Sequence, residues 1–335
     1  MRRMYFGTTP TGVPIHVFRL ESSAGVSVSV MELGAAVVSI ETPDRKGRVG
    51  PIVPGFDNLA PYLEATHPQS ITLGRYAGRV GDRPLRSQLE LRVLDGPGAP
   101  HKLHRNAAGL NCPVWWGEAL SEGVRFHYSS PEGEDGYPGK LECSVEYRLD
   151  QAGSLRVTHR ATTDARTVVD LASQIYFNLR DGGRSSVLGH ELSIAADEIV
   201  EVDREGIPTG HFLPVAGSSM DFRSAREVGA ENRASNRPRG DYDDCYVLRR
   251  PSSSMRAVAR LRDPGSGRNV ELATTQPGIR FETSAAPGSE ERKLSLCLCP
   301  QNFPNAANHR HFPSPELAPG SFYDQTTVYR FWNEH

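Results

Sequence analysis

One stretch near the end of the chain decides how the rest is interpreted: Leu294-Ser295-Leu296-Cys297-Leu298-Cys299-Pro300-Gln301-Asn302-Phe303-Pro304. Its first half alternates, with leucines on one face and Ser295, Cys297 and Cys299 on the other. This period is typical of a strand that packs one face against an apolar core. Pro300 has no N–H to donate, so we expect the strand to end there. The amide side chains that follow predict a turn-rich loop, and a strand that delivers thiols and amides to its end is a candidate ligand site.

The same alternation recurs earlier in the chain. Apolar and polar residues alternate from Leu141 to Leu149, and the pattern returns from Leu155 to His159 after a short turn. The preceding segment, 130–139, has the glycines, prolines and acids of a turn. These patterns predict antiparallel hairpins and an all-β fold.

Composition excludes several classes of function. The chain has 335 residues and a net charge of −2, with no apolar run long enough to cross a membrane and no basic, aromatic stripe for nucleic acid. The first residues lack the apolar segment of a signal peptide, so we expect a cytoplasmic protein. Five cysteines, an odd number without metal-ligand spacing, predict reduced thiols. His101 and His104 could form a metal or an acid/base pair, but no further ligand pattern accompanies them, so we expect neither a metal nor a cofactor.

The stretch around Pro300 resembles the C-terminal signature of the aldose 1-epimerase (galactose mutarotase) family. Further motifs carry the same resemblance in the same order: 74–79 (GRYAGR), 102–104 (KLH), 130–139 (SPEGEDGYPG), 169–179 (VDLASQIYFNL) and 242–248 (YDDCYVL). The resemblance implies a large antiparallel β-supersandwich with an open cleft. We expect a single domain over residues 1–335.

The resemblance also implies where the family's acid and base would stand. The family's histidine, the acid at the sugar ring oxygen, is Gln174 here, and its glutamate, the base, is Cys299. An amide does not titrate, and a cysteine thiol is mostly protonated at neutral pH unless a cation lowers its pKa. We therefore expect impaired mutarotation. In this interpretation Cys299 acts as a nucleophile or base, His104 is the remaining titratable acid, and Gln174 stands where the family has its acid.

This sequence matches the family at more of its substrate-binding positions than at its acid and base positions. The resemblance assigns substrate contacts to Arg79, Asp243, Tyr176, Asn178 and Gln301, with His101 and His104 beside them. Glu282 occupies the position of a family tyrosine and is either a new carboxylate of the site or an exposed acid at a strand end. The predicted partner is a small molecule, a sugar or another hydroxylated cyclic compound, bound by a monomer or homodimer.

Three functions remain open at this stage. The first is an enzyme of this family that catalyses a different isomerisation, a cyclisation or an elimination. The second is a non-catalytic carbohydrate-binding or regulatory protein. The third is a weak true aldose 1-epimerase that uses His104 or His101.

Overall fold

A computed structural model of the protein describes residues 1–64, 70–81, 101–102, 113–230, 241–249, 255–286 and 289–334. Nearly all regular structure in these residues is antiparallel β. A five-stranded sheet follows chain order: β1 (Arg2–Thr8), β2 (Pro14–Glu21), β3 (Ser27–Met31), β4 (Ala36–Pro43) and β5 (Val49–Pro51). A short helix, α1 (Ala60–Glu64), follows it, and no helix in the described ranges has the length and apolar character that a membrane crossing requires.

The described residues also form two larger sheets and three two-stranded pairs. In chain order their strands are β6 (Thr72–Leu73), β7 (Val80–Gly81), β8 (His101–Lys102), β9 (Trp116–Leu120), β10 (Gly123–Ser130), β11 (Leu141–Leu149), β12 (Ser154–Thr163), β13 (Thr167–Val168), β14 (Ala172–Ser173), β15 (Tyr176–Phe177), β16 (Glu191–Ile194), β17 (Ala196–Val202), β18 (Pro208–Pro214), β19 (Arg226–Glu227), β20 (Asp243–Leu248), β21 (Arg256–Arg262), β22 (Arg268–Thr274), β23 (Gly278–Ala286), β24 (Ser289–Gln301), β25 (Glu316–Leu317) and β26 (Tyr323–Asn333). The nine-stranded sheet has the order β19-β16-β21-β22-β26-β12-β11-β10-β9, and the six-stranded sheet has the order β15-β24-β23-β20-β17-β18. The predicted all-β fold is confirmed.

The predicted hairpin is confirmed as β11 and β12. Leu149 pairs with Leu155 across the turn, and Val145 and Tyr147 of β11 are fully buried. They join a large apolar core, to which the five-, six- and nine-stranded sheets all contribute side chains. The division of the chain into one domain stays a prediction.

Strand β24 has two buried faces rather than one. Leu296 and Leu298 enter the large core, whereas Cys297 and Cys299 enter a second apolar cluster with residues of β2 to β4. The expectation that the strand ends at Pro300 was wrong, because Pro300 still pairs with Ile279. Its short neighbour β15 pairs only with Leu296 and Cys297, so at Pro300 the strand has one partner in the sheet, and there a missing N–H is tolerated.

Arg75 holds the turn at residues 130–139 to the sheet. Its guanidinium is buried and donates hydrogen bonds to the carbonyl oxygens of Ser130, Pro131, Pro138 and Gly139 at 2.7–3.1 Å and to Ser130 Oγ at 2.7 Å. Most arginine side chains lie at the surface, in solvent or paired with an acid. Arg75 instead satisfies carbonyl groups that a tight turn leaves without strand partners.

We predict that Arg75→Met lowers the free energy of unfolding by roughly 3 kcal/mol or more, because it leaves several buried carbonyls unpaired. Arg160→Met is the matched control. Arg160 pairs with Asp324 at the surface, both side chains being about half exposed, so its loss should cost under about 1 kcal/mol. Urea unfolding followed by circular dichroism measures both values, and equal losses would contradict the role given to Arg75.

Candidate functional site

The register of the six-stranded sheet brings distant parts of the chain into one row. Asp243 on β20 pairs with Glu282 on β23, and Glu282 pairs in turn with Cys297 on β24. Cys297 then pairs with Tyr176 on β15. Residues directly opposed in an antiparallel sheet point to the same face, so these four side chains lie next to one another across four strands.

A second row lies beside the first. Arg280 pairs with Cys245 on one side and with Cys299 on the other, and one step further Gln301 pairs with Gly278. Arg280 was not among the residues predicted for the site. The alternation of Arg280 and Glu282 on one strand is the signal that could have found it.

Glu282 is the centre of a hydrogen-bonded cluster. Tyr176 Oη donates to its Oε1 at 3.2 Å, and Gln174 Nε2 donates to its Oε2 at 3.4 Å and to Tyr176 Oη at 3.0 Å. The Glu282 side chain is 22% exposed, and burial raises the pKa of its carboxyl although Arg280 acts in the opposite direction. Glu282 is therefore a half-buried carboxylate in contact with Gln174, not a solvated acid at a strand end.

Arg280 connects this cluster to an open cleft. Its Nη2 lies 3.1 Å from Glu282 Oε2, and its Nε donates to Asp243 Oδ1 at 2.7 Å. Asp243 Oδ2 lies 3.8 Å from Arg79 Nη2. The cleft holds about 590 Å³ of open space, and its lining includes Arg79, Asp243, Arg280, Gly206 and Pro208.

Arg79 lies along the turn that follows β17. Its Nη1 donates to the carbonyl of Glu205 at 3.3 Å. The next residue, Gly206, has a φ of +78°, and a Cβ built there would lie 1.9 Å from Arg79 Nη1. Glycine at this position therefore permits both the left-handed turn and the close approach of the guanidinium.

The two thiols predicted to face the site are buried. Cys299 is 1% exposed and Cys297 is fully buried, and both pack in the cluster that contains Tyr176 and Ala77. Burial raises the pKa of the Cys297 thiol well above its usual value. Position 299 is on the same face as Arg280, but Cys299 has almost no exposed surface.

Gln301 lies at the base of the same region and is fully buried. Its Nε2 donates to the carbonyl of Asn302 at 3.2 Å, and its Oε1 has no hydrogen-bond partner among the described residues. Gly78, with φ +91°, passes closely over it, since a Cβ at that position would lie 3.2 Å from Gln301 Nε2.

Asn178, another predicted binding residue, does not line the cleft. Asn178 is fully buried, and its Nδ2 donates to the carbonyls of Ser185 at 2.7 Å and Leu294 at 2.9 Å, so that amide has no N–H left for a ligand. His104 lies outside the described residues. For His101 the structure describes only the backbone, in β8. In the described part of the chain, no three His, Cys, Asp or Glu side chains are grouped as ligands for a metal ion.

Asp170, which sequence reasoning missed, supports the loop that follows β24. It is fully buried, and each carboxylate oxygen lies 3.1 Å from the backbone nitrogen of Asn302, while Gln276 Nε2 donates to Oδ1 at 3.3 Å. Burial raises the pKa of Asp170 from 3.8 to about 7. A carboxylate within the apolar run Val168-Val169-Asp170-Leu171 was the available signal.

This shift predicts a pH dependence of stability. The native state holds the Asp170 proton more tightly than the unfolded state, so this contribution is fully present below about pH 4 and is lost as the pH rises to about 7. Asp170→Asn, which does not titrate, should remove it. Urea unfolding at about pH 5 and about pH 8 should find that wild type loses stability relative to the variant at the higher pH. A difference that is the same at both values would contradict the prediction.

Comparisons with known proteins agree with this fold. The family model for aldose 1-epimerase matches residues 16–330. The chain is 36% identical to the galactose mutarotase of Sus scrofa, with 98% of each chain covered, and 30% identical to the aldose 1-epimerase of Escherichia coli K12, with 96% of each covered. Among solved structures, the GalM/aldose epimerase homologue from C. elegans matches with a TM-score of 0.80 at 26% identity, over 95% of this chain and 99% of that one. The chain is therefore an isomerase of the aldose 1-epimerase family.

Proposed function

We propose that this protein is a sugar mutarotase, which interconverts the α and β anomers of a reducing aldose by opening and reclosing the sugar ring. The observation that carries the proposal is the continuous set of polar side chains from Arg79 through Asp243 and Arg280 to Glu282. Arg79, Asp243 and Arg280 line one cleft, and Glu282 contacts Arg280 beside it. Charged donors and acceptors in a cleft suit a ligand covered with hydroxyl groups. Relatives named galactose mutarotase and aldose 1-epimerase support the same reaction.

The binding roles follow from the contacts. Asp243 can accept hydrogen bonds from sugar hydroxyls, and Arg79 and Arg280 can donate to sugar oxygens while they hold the Asp243 carboxylate in place. Gln301, with an unpartnered buried Oε1, is a further acceptor near Gly78. Each of these groups positions the substrate without changing its own protonation state.

Gln174 and Cys299 occupy the positions that the family resemblance gives to the acid and the base. A reaction in which Cys299 acts as a nucleophile requires access to its sulfur, and a side chain with 1% exposure does not favour it. Mutarotation is therefore the better-supported function, and His104 stays a candidate acid. The cytoplasmic location and the monomeric or homodimeric state stay predictions.

The proposal predicts that wild type accelerates the approach of freshly dissolved α-D-galactose or α-D-glucose to anomeric equilibrium. Polarimetry measures this rate above that of the buffer. Asp243→Asn should raise KM roughly tenfold with a smaller effect on kcat, because a charged hydrogen-bond acceptor of the sugar is lost.

Asp197→Asn is the matched control, since Asp197 is also a half-exposed aspartate paired with an arginine, Arg249, and it does not line the cleft. Its KM should equal that of wild type. If wild type accelerates no aldose in a panel of hexoses and pentoses, the mutarotase proposal fails. If Asp243→Asn leaves KM unchanged, the sugar does not bind in this cleft.

A further inference from the structure

We propose that Glu282, on β23, is the catalytic carboxylate of this enzyme. It takes the proton of the sugar's anomeric hydroxyl in place of residue 299 on the adjacent strand β24, where the resemblance puts the family's base. This inference rests on the proposed function and deepens it. It assigns a role to a side chain that occupies the place of a family tyrosine.

The register supplies the first argument. Glu282 pairs with Cys297, so it lies diagonally across from Cys299 on the same face of the sheet. Diagonal neighbours on an antiparallel pair have Cα atoms about 7–8 Å apart, within reach of a long side chain. A carboxylate carried on residue 282 can therefore occupy the space that a carboxylate on residue 299 would occupy.

The contacts of Glu282 supply the second argument. Its Oε2 lies 3.4 Å from Nε2 of Gln174, the residue in the position of the family's acid. The resemblance assigns the family's acid and base to positions 174 and 299, and both neighbour Glu282, the first by contact and the second by strand register. Arg280, which contacts Glu282 and Asp243 together, connects it to the cleft. At 22% exposure the Glu282 side chain keeps a surface that a ligand can reach.

The charges around Glu282 suit a base. Tyr176, Gln174 and Arg280 donate to or pair with its oxygens and favour the ionised form. Burial and the nearby Asp243 carboxylate act in the opposite direction, and the net effect is a raised pKa. A carboxylate with a raised pKa is a stronger base, and this places it closer to the pH at which general base catalysis is most effective.

The proton transfers balance with Glu282 as the base and water as the acid. Glu282 takes the proton of the anomeric hydroxyl, the bond between the anomeric carbon and the ring oxygen breaks, and a carbonyl group forms. Water gives a proton to the ring oxygen and becomes hydroxide. After rotation about the adjacent carbon–carbon bond, the hydroxyl attacks the other face of the carbonyl and returns its proton to hydroxide. Protonated Glu282 then returns its own proton to the new anomeric oxygen.

The test uses the full chain and anomer exchange rates measured by polarimetry and NMR. Glu282→Gln keeps the size and most hydrogen bonds of the side chain but cannot take a proton, so kcat should fall about a hundredfold or more while KM changes little. The loss of activity on the acidic side of the pH profile, which reports the base, should disappear with it. Glu271→Gln on β22 is the matched control and should behave as wild type.

A second pair of variants tests the relocation itself. Glu282→Gln combined with Cys299→Glu returns a carboxylate to the neighbouring strand and should recover at least tenfold of the lost kcat. Cys299→Glu alone should not exceed wild type, because two adjacent carboxylates repel each other. Glu282→Asp keeps the carboxylate on a side chain that is shorter by one methylene. Its kcat should therefore lie between those of wild type and Glu282→Gln.

The outcomes separate the two proposals. An active wild type whose Glu282→Gln and Glu282→Asp variants both fold, bind sugar and keep full kcat overturns the assignment of Glu282 and leaves the mutarotase function intact. A wild type inactive on every aldose overturns the mutarotase function, and the assignment falls with it. If Glu282→Gln does not fold, as unfolding curves would reveal, Glu282→Asp decides the matter through its kcat and its pH profile.

Discussion

The pairing of β23 with β24 is the constraint on which the candidate site depends. It places Arg280 opposite Cys299 and Glu282 opposite Cys297, with Phe281 and Leu298 pointing the other way into the large core. A slip of one residue would turn both charged side chains into that core and turn apolar groups toward the cleft. Burying an unpaired charge among apolar residues costs several kcal/mol, so the core itself excludes the alternative register.

Arg280 pairs with two neighbouring carboxylates and so reduces the repulsion between them. Its side chain is 13% exposed and contacts one carboxylate on each side, Asp243 and Glu282. The guanidinium has several donors in a fixed plane, which lets one cation serve two acids. These carboxylates in turn raise the pKa of Arg280 even though burial lowers it. The three residues thus depend on one another, and a carboxylate without its arginine would be an uncompensated charge in a half-buried place.

Backbone contacts from buried side chains fix the loops around these charges. Tyr76 Oη donates to the carbonyl of Phe303 at 2.9 Å and accepts from the backbone nitrogen of Ala306 at 3.0 Å. Asp170 accepts from the nitrogen of Asn302 in the same loop, and Arg75 holds the turn at residues 130–139. Irregular segments of this kind lack ladder hydrogen bonds, and buried polar side chains satisfy their backbone groups instead. The loop that follows Gln301 is therefore held in place beside the cleft.

The sequence by itself predicted the all-β fold, the hairpin of β11 and β12 and the family, and the resemblance alone assigned Gln174 and Cys299 to the positions of the family's acid and base. These are local properties: alternation with a period of two, turn residues, and motifs with fixed spacing. Only the tertiary structure decided that Cys299 is sealed, that Asn178 holds backbone carbonyls, and that Glu282 lies against Gln174, 108 residues away in the chain. Alternation is the same for a strand with one buried face as for β24, whose second face also packs against apolar residues. Which side chain reaches a cleft depends on pairing between distant strands, and that pairing is set by the burial of the whole core rather than by any local pattern.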